Sequence, residues 1–138
     1  MRGRGRRETT APPLAGTVLG SSDGTFVLAE WADEGQTSRE RPIAPLHVHH
    51  ADDEAWYVLE GTLGFRLDET ELVAPAGCAV YAPRGVAHTY WNAGGGRARY
   101  VIVLTTNLMR MIDEIHATEN RDAETMRQLF ARFDSELL

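Results

Sequence analysis

Between Gly16 and Thr105 the chain is a succession of short apolar–polar alternations, broken by turn residues about every eight to twelve positions. Successive side chains in a strand point to opposite faces, so each segment has one apolar face that it cannot bury alone. "GTVLG" and "TFVLAEW" flank Asp23-Gly24, a hairpin signal. After the polar loop "ADEGQTSRERP" come "IAPLHVHH", "EAWYVLEG", "TLGFRLD", "ELVAPAG", "CAVYAPRG", "AHTYWN" and the strongly β-prone "RARYVIVLTT". This rhythm predicts an all-β sandwich or barrel. No strand–helix alternation and no glycine-rich phosphate loop interrupts it. At 138 residues the chain has length enough for one sizeable core.

After Asn107 the period changes. Leu108, Met111, Ile112 and Ile115 recur at helical spacing, as do Met126, Leu129, Phe130, Phe133 and Leu137, with Asp122 as a cap for the second run. Two short amphipathic helices are therefore expected, their apolar stripe covered by the barrel or by a second subunit. His116, at the end of the first helix, reads as a surface residue. The expected division is a flexible basic arm over 1–14, a β barrel over 15–106 and a helical extension over 107–138.

Charge excludes several partners. Arg2, Arg4, Arg6 and Arg7 crowd into the first eight residues, and without that stretch ten basic and nineteen acidic residues leave a net charge of −9. An acidic body repels phosphate backbones, so nucleic acid is not an expected partner. No apolar run approaches the ~20 residues a membrane helix needs. The arginines precede no apolar signal segment, so a cytoplasmic location is expected. Cys78, the single cysteine, excludes an internal disulfide and reads as a small buried residue.

The chemistry concentrates in "PLHVHHADDEAW". If this stretch is extended, His47 and His49 share a face and His50 points to the other. Glu54 follows a short turn and lies on the same face of its strand as Trp56 and Val58. A carboxylate on a core-facing side must be paired or bound to a cation. Downstream, Pro83 and Gly85 make a turn and His88 opens the next strand. His47, His49, Glu54 and His88 together offer three imidazole nitrogens and one carboxylate, a set suited to one first-row divalent metal.

These stretches resemble the cupin family. "HVHHADDEAWYVLEG" fits its first motif, H-x-H-x4-E-x6-G, and "GCAVYAPRGVAHTYWN" its second, G-x5-P-x-G-x2-H-x3-N, separated by the short segment typical of compact bacterial members. The glycine that often opens the first motif is Arg41 here. The resemblance implies a double-stranded β-helix, or jelly roll, followed by the two helices. It implies His47, His49, Glu54 and His88 as metal ligands, with Gly61, Gly77, Pro83, Gly85 and Asn92 kept for backbone reasons. By the same alternation Trp56, Phe65 and Tyr90 are expected to line a substrate pocket. Arg41, Arg66 and Arg84 are candidates to anchor an acidic substrate.

For activity, the resemblance to quercetin-dioxygenase-like small cupins implies a metal-dependent oxidoreductase acting on a small, flat or largely apolar molecule. Fe(II) is the preferred metal, with Mn, Ni, Co, Cu or Zn as alternatives, and Glu54 is the expected catalytic base. Two further readings stand beside it: redox-neutral isomerisation or cyclisation, and non-catalytic binding of a small molecule. Exposed strand edges and the helical stripe make a homodimer the expected assembly.

Overall fold

In the computed structural model, which describes residue 14 and residues 16–138, the alternating segments become strands of two antiparallel sheets. They are β1 (Val18–Gly20), β2 (Phe26–Asp33), β3 (Ala44–His49), β4 (Glu54–Glu60), β5 (Thr62–Leu67), β6 (Thr70–Pro75), β7 (Ala79–Ala82), β8 (His88–Asn92) and β9 (Ala98–Thr105). Helices α1 (Thr106–Ala117) and α2 (Ala123–Arg132) follow, then a last strand, β10 (Ser135–Leu137). One sheet has the order β1-β2-β9-β4-β7 and the other β10-β3-β8-β5-β6. Consecutive strands β3/β4 and β4/β5 thus lie in different sheets, as a jelly roll requires. The basic arm expected over 1–14 falls outside the described residues except for Leu14, whose carbonyl accepts from the Thr17 amide.

Gly61 makes the crossing from β4 to β5. Its φ is +76°, and a Cβ there would collide with the Arg97 carbonyl oxygen. Only glycine tolerates both demands. The β5–β6 hairpin turns through Asp68 at φ 51°, a left-handed conformation that Asp accepts more readily than most residues. Between the sheets, Ala29, Trp56, Val58, Leu63, Phe65, Tyr90, Tyr100, Ile102 and Leu104 form one core. Cys78 departs from expectation: it sits in the turn before β7 and is exposed.

The helices close one end of this sandwich. Leu108 and Met111 of α1 and Leu129 and Phe130 of α2 are buried in the same core. The apolar stripe is therefore covered within the chain. α1 starts with the Thr105 hydroxyl accepting from the Leu108 amide, and α2 with Asp122 accepting from the Thr125 amide.

The C-terminus corrects the sequence reading. Phe133 and Leu137 continue the helical spacing, yet α2 stops at Arg132 because Asp134 turns to φ 53°. The chain then reverses into β10, which pairs antiparallel with β3, Ser135 opposite His49 and Leu137 opposite His47. The last segment is thus part of the sheet, and it covers the free edge of β3.

Asp52 ties the helical end to the first motif. It is 8% exposed, and its two carboxylate oxygens accept from Thr105 Oγ1 at 2.8 Å and Asn107 Nδ2 at 2.9 Å. Asp52→Ala leaves the Thr105 hydroxyl without its acceptor and Asn107 Nδ2 with the Phe133 carbonyl alone, so a loss of about 1–3 kcal/mol of stability is expected. Urea unfolding followed by circular dichroism checks this, and an unchanged midpoint would refute it.

Candidate metal centre

The two sheets bring four side chains together. His47 and His49 come from β3 and His88 from β8 in one sheet, and Glu54 comes from β4 in the other. His47 and His88 are directly opposed in register. Asp53 and Arg84 hold the two motif turns together: the Asp53 carboxylate accepts from the Arg84 amide at 2.9 Å and from its guanidinium at 3.1 and 3.2 Å. The Gly85 amide also donates to the His49 carbonyl.

His47, His49, Glu54 and His88 are all buried, and one ligand atom from each lies within 4.8 Å of the others. Glu54 Oε1 is 3.2 Å from His49 Nε2 and 3.1 Å from His88 Nε2, and the Nε2 atoms of His47 and His49 are 3.1 Å apart. The far side of each ring is committed. His47 Nδ1 donates to the Pro45 carbonyl at 2.5 Å and His88 Nδ1 to the Val86 carbonyl at 3.0 Å. His49 Nδ1 lies 2.7 Å from Ser135 Oγ. Because the Ser135 hydroxyl donates to the Phe133 carbonyl, its oxygen accepts from His49. All three Nε2 lone pairs therefore face the centre.

Acceptors converging on acceptors call for a cation, and this donor set fits a divalent metal. Such ions bond imidazole nitrogen and carboxylate oxygen at roughly 2.0–2.2 Å, so ligands around one stand up to about 4.4 Å apart. The cluster is already close to that spacing. The electrostatics of the cluster carry the same tension. Burial and the neighbouring His88 and His49 push His47 down to about 3. Burial opposes ionisation of Glu54, but the His49 and His88 imidazoles at its carboxylate hold it at about 2. Burial disfavours a charge on His88, yet the hydrogen bond and charge of Glu54 outweigh it and raise its pKa above 6.5. A proton on His88 competes with a metal, so metal affinity is expected to weaken as pH falls, beginning above pH 6.5. Competition titrations across pH check this; a flat profile from pH 8 to pH 6 would contradict it.

Above the cluster lies a cavity of about 460 Å³, whose wall is mainly apolar: Ile43, Ile102, Leu104, Leu108, Ile112 and Ile115. Tyr90 lines it. Trp56 and Phe65 do not. They are 1% and 0% exposed, in the layer behind, with Trp56 edge-on to His88 and Phe65 stacked on Tyr90. The helices lie over one part of the interior, and that leaves a different set of inward side chains in contact with the space.

Tyr100 is a wall residue that sequence reasoning missed. Its hydroxyl is 2.9 Å from that of Tyr90, and burial raises the pKa of both phenols. One hydroxyl donates to the other, so the neutral pair keeps one O–H proton at the cavity wall. None of Arg41, Arg66 and Arg84 lines the cavity; Arg121 and His116 do. His50 is about half exposed and pairs with Glu136 on the outside. Asn92 is structural, donating to Asp33 and to the Gly96 carbonyl.

Residues 39–104 match the family model described as the cupin domain. No curated protein matches the chain. Similar solved structures include a cupin protein from Bacteroides fragilis, 11% identical over 72% of this chain and 82% of that one, with a TM-score of 0.58. A sugar phosphate isomerase from a cupin superfamily, from Silicibacter pomeroyi, is 25% identical over 59% of this chain with a TM-score of 0.50. A candidate sugar phosphate isomerase from Acidithiobacillus ferrooxidans is 20% identical over 59% of this chain, with a TM-score of 0.51. The chain spans about half the length of each of these two, 51%. Among the described residues no helix is long and apolar enough to cross a membrane.

Proposed function

Residues 39–104 of this chain are a cupin domain, and we propose that the domain serves a metal-dependent, dioxygenase-like enzyme acting on a small, largely apolar molecule. One observation carries the reading: three imidazole Nε2 atoms and a buried carboxylate converge beside a mainly apolar cavity. His47, His49, Glu54 and His88 hold one divalent transition metal, with Fe(II) preferred over Mn, Ni, Co, Cu or Zn. When bound, the ion supplies Lewis acidity and, if iron, the redox capacity to use dioxygen. Glu54 accepts a proton from a substrate hydroxyl. The Tyr90–Tyr100 pair donates its remaining O–H to a substrate oxygen, and the apolar wall keeps water away.

The test is elemental analysis of protein purified without chelators, then anaerobic loading with Fe(II) and an oxygen-uptake screen over small phenols, enols and acids. The expected result is close to one metal per chain and oxygen uptake that needs both metal and substrate. Protein that takes up no metal above trace would overturn the reading. The isomerase-named relative favours a second one, redox-neutral isomerisation on the same metal. Turnover under argon would select it.

A homodimer remains part of this proposal, and its motive is now the sheet surface rather than the helices. Tyr57 and Tyr81, on the paired strands β4 and β7, are 48% and 56% exposed, and β7 is an edge strand. Light scattering giving a monomer mass would overturn it. The proposed location is cytoplasmic.

A further inference from the structure

The cavity has a second polar end. His116 and Arg121 line it together with the apolar side chains, and both helices measure how far they stand from the metal cluster. α1 begins beside that cluster, since Asn107 Nδ2 donates to the same Phe133 carbonyl that takes the Ser135 hydroxyl. His116 comes nine residues later, roughly 13 Å further along the helix axis at about 1.5 Å per residue. Phe130 of α2 packs on His47, ring centroids 5.9 Å apart. α2 begins seven residues before Phe130, roughly 10 Å along its axis, and Arg121 lies just before its Asp122 cap.

Among the described residues, Arg121 is the only arginine that lines the cavity. Of the ten arginines among the described residues, seven pair with carboxylates: Arg39, Arg66, Arg84, Arg97, Arg99, Arg127 and Arg132. In a chain this acidic, that is the default fate of a guanidinium. Arg121 escapes it: its Nε donates to the Thr118 carbonyl at 2.9 Å, and it pairs with no carboxylate among the described residues. Glu119, two residues away, is exposed and makes no ion pair with it, and the other acids near it in sequence are committed. Glu114 pairs with Arg132, Asp122 caps α2, and Glu124 takes Arg127 and Gln128. Among the described residues nothing accepts from the terminal N–H groups of Arg121, an exposed side chain that can offer them to a ligand entering the cavity.

We propose that Arg121, assisted by His116, is an anion subsite, and that the substrate is a small organic acid. Its oxygen donor would sit at the metal cluster, its apolar body along the cavity wall and its carboxylate at Arg121. A guanidinium fork matches a carboxylate with two parallel hydrogen bonds. The inference rests on the cluster being a metal site, and its test separates the two ideas.

The probe is suberic acid monohydroxamate, whose hydroxamate chelates metal and whose carboxylate lies at the far end of an apolar chain. Its methyl ester is the neutral control, and both are titrated calorimetrically into Co(II)-loaded protein. A charge-assisted hydrogen bond contributes enough that the acid is expected to bind about tenfold or more tightly than the ester. Arg121→Gln should bring that ratio close to one, with ester affinity and cobalt content unchanged, and His116→Gln should lower it less. Equal binding of acid and ester by the unaltered protein overturns the subsite. So does a preference that survives Arg121→Gln, or loaded protein that binds neither compound. Protein that takes up no cobalt overturns the metal reading and the subsite with it.

Discussion

Glu54→Gln is expected to abolish stoichiometric metal binding and to lower the stability of the metal-free protein without unfolding it. Glu54 supplies the only negative charge in the cluster, 7% exposed and flanked by His49 and His88 at 3.2 and 3.1 Å. Glutamine keeps the size and one acceptor oxygen, so the hydrogen bond from a protonated His88 can persist. It removes the charge that offsets a dication. Losing a residue that merely orients a ligand costs about 10–100-fold in metal affinity, so losing the charged ligand should cost at least about 100-fold. In the metal-free protein the balance differs. A buried carboxylate must be desolvated, but its pairing with His49 and His88 outweighs that cost, since it holds the pKa at about 2 against an ordinary 4.5, so the variant loses some stability without metal too. Metal at about 100 times its dissociation constant stabilises a folded chain by about 2.7 kcal/mol, and this increment should vanish in the variant. Thermal melts with and without Fe(II) under argon, beside a competition titration, measure both effects. A variant whose melting temperature still rises with metal as the unaltered protein's does would refute the assignment of Glu54.

The four clustered residues were legible because strand parity is rigid. Once "LHVHH" and "EAWYV" are extended, His47 and His49 must share a face, and Glu54 must share one with Trp56 and Val58. His88 was legible because "PRG" can only turn the chain just before it. What parity does not encode is depth. Trp56, Phe65 and Tyr90 all face inward, but which of them borders open space depends on how two helices from elsewhere in the chain lie across the interior. The same limit hid Tyr100, Arg121 and His116, whose positions are set by packing that a local pattern does not carry. The last strand was hidden for another reason. Phe133 and Leu137 happen to continue the helical spacing, and a single left-handed residue, Asp134, ends the helix between them. Asp is permissive of that conformation without requiring it, so no turn was signalled.

That hidden strand carries the second large effect expected. Ser135→Ala should weaken metal binding by about 10–100-fold, although Ser135 touches no metal. Its oxygen accepts from His49 Nδ1 at 2.7 Å while its proton goes to the Phe133 carbonyl, and this fixes His49 with the proton on Nδ1 and the lone pair on Nε2. Without the hydroxyl, His49 is free to place its proton on Nε2 and donate to Glu54 instead, which closes the site against a cation. His47 and His88 lack this vulnerability, because backbone carbonyls hold their Nδ1 protons. Ser135→Thr retains an oxygen at the same position and should recover most of the affinity, which separates hydrogen bonding from packing. Two readouts make the claim specific: competition titration for affinity, and nitrogen-15 shifts of the imidazoles for the tautomer. If Ser135→Ala keeps both the affinity and the Nδ1–H form of His49, the C-terminal strand only covers the edge of β3. If both change together and threonine restores them, the last strand is part of the metal site's construction.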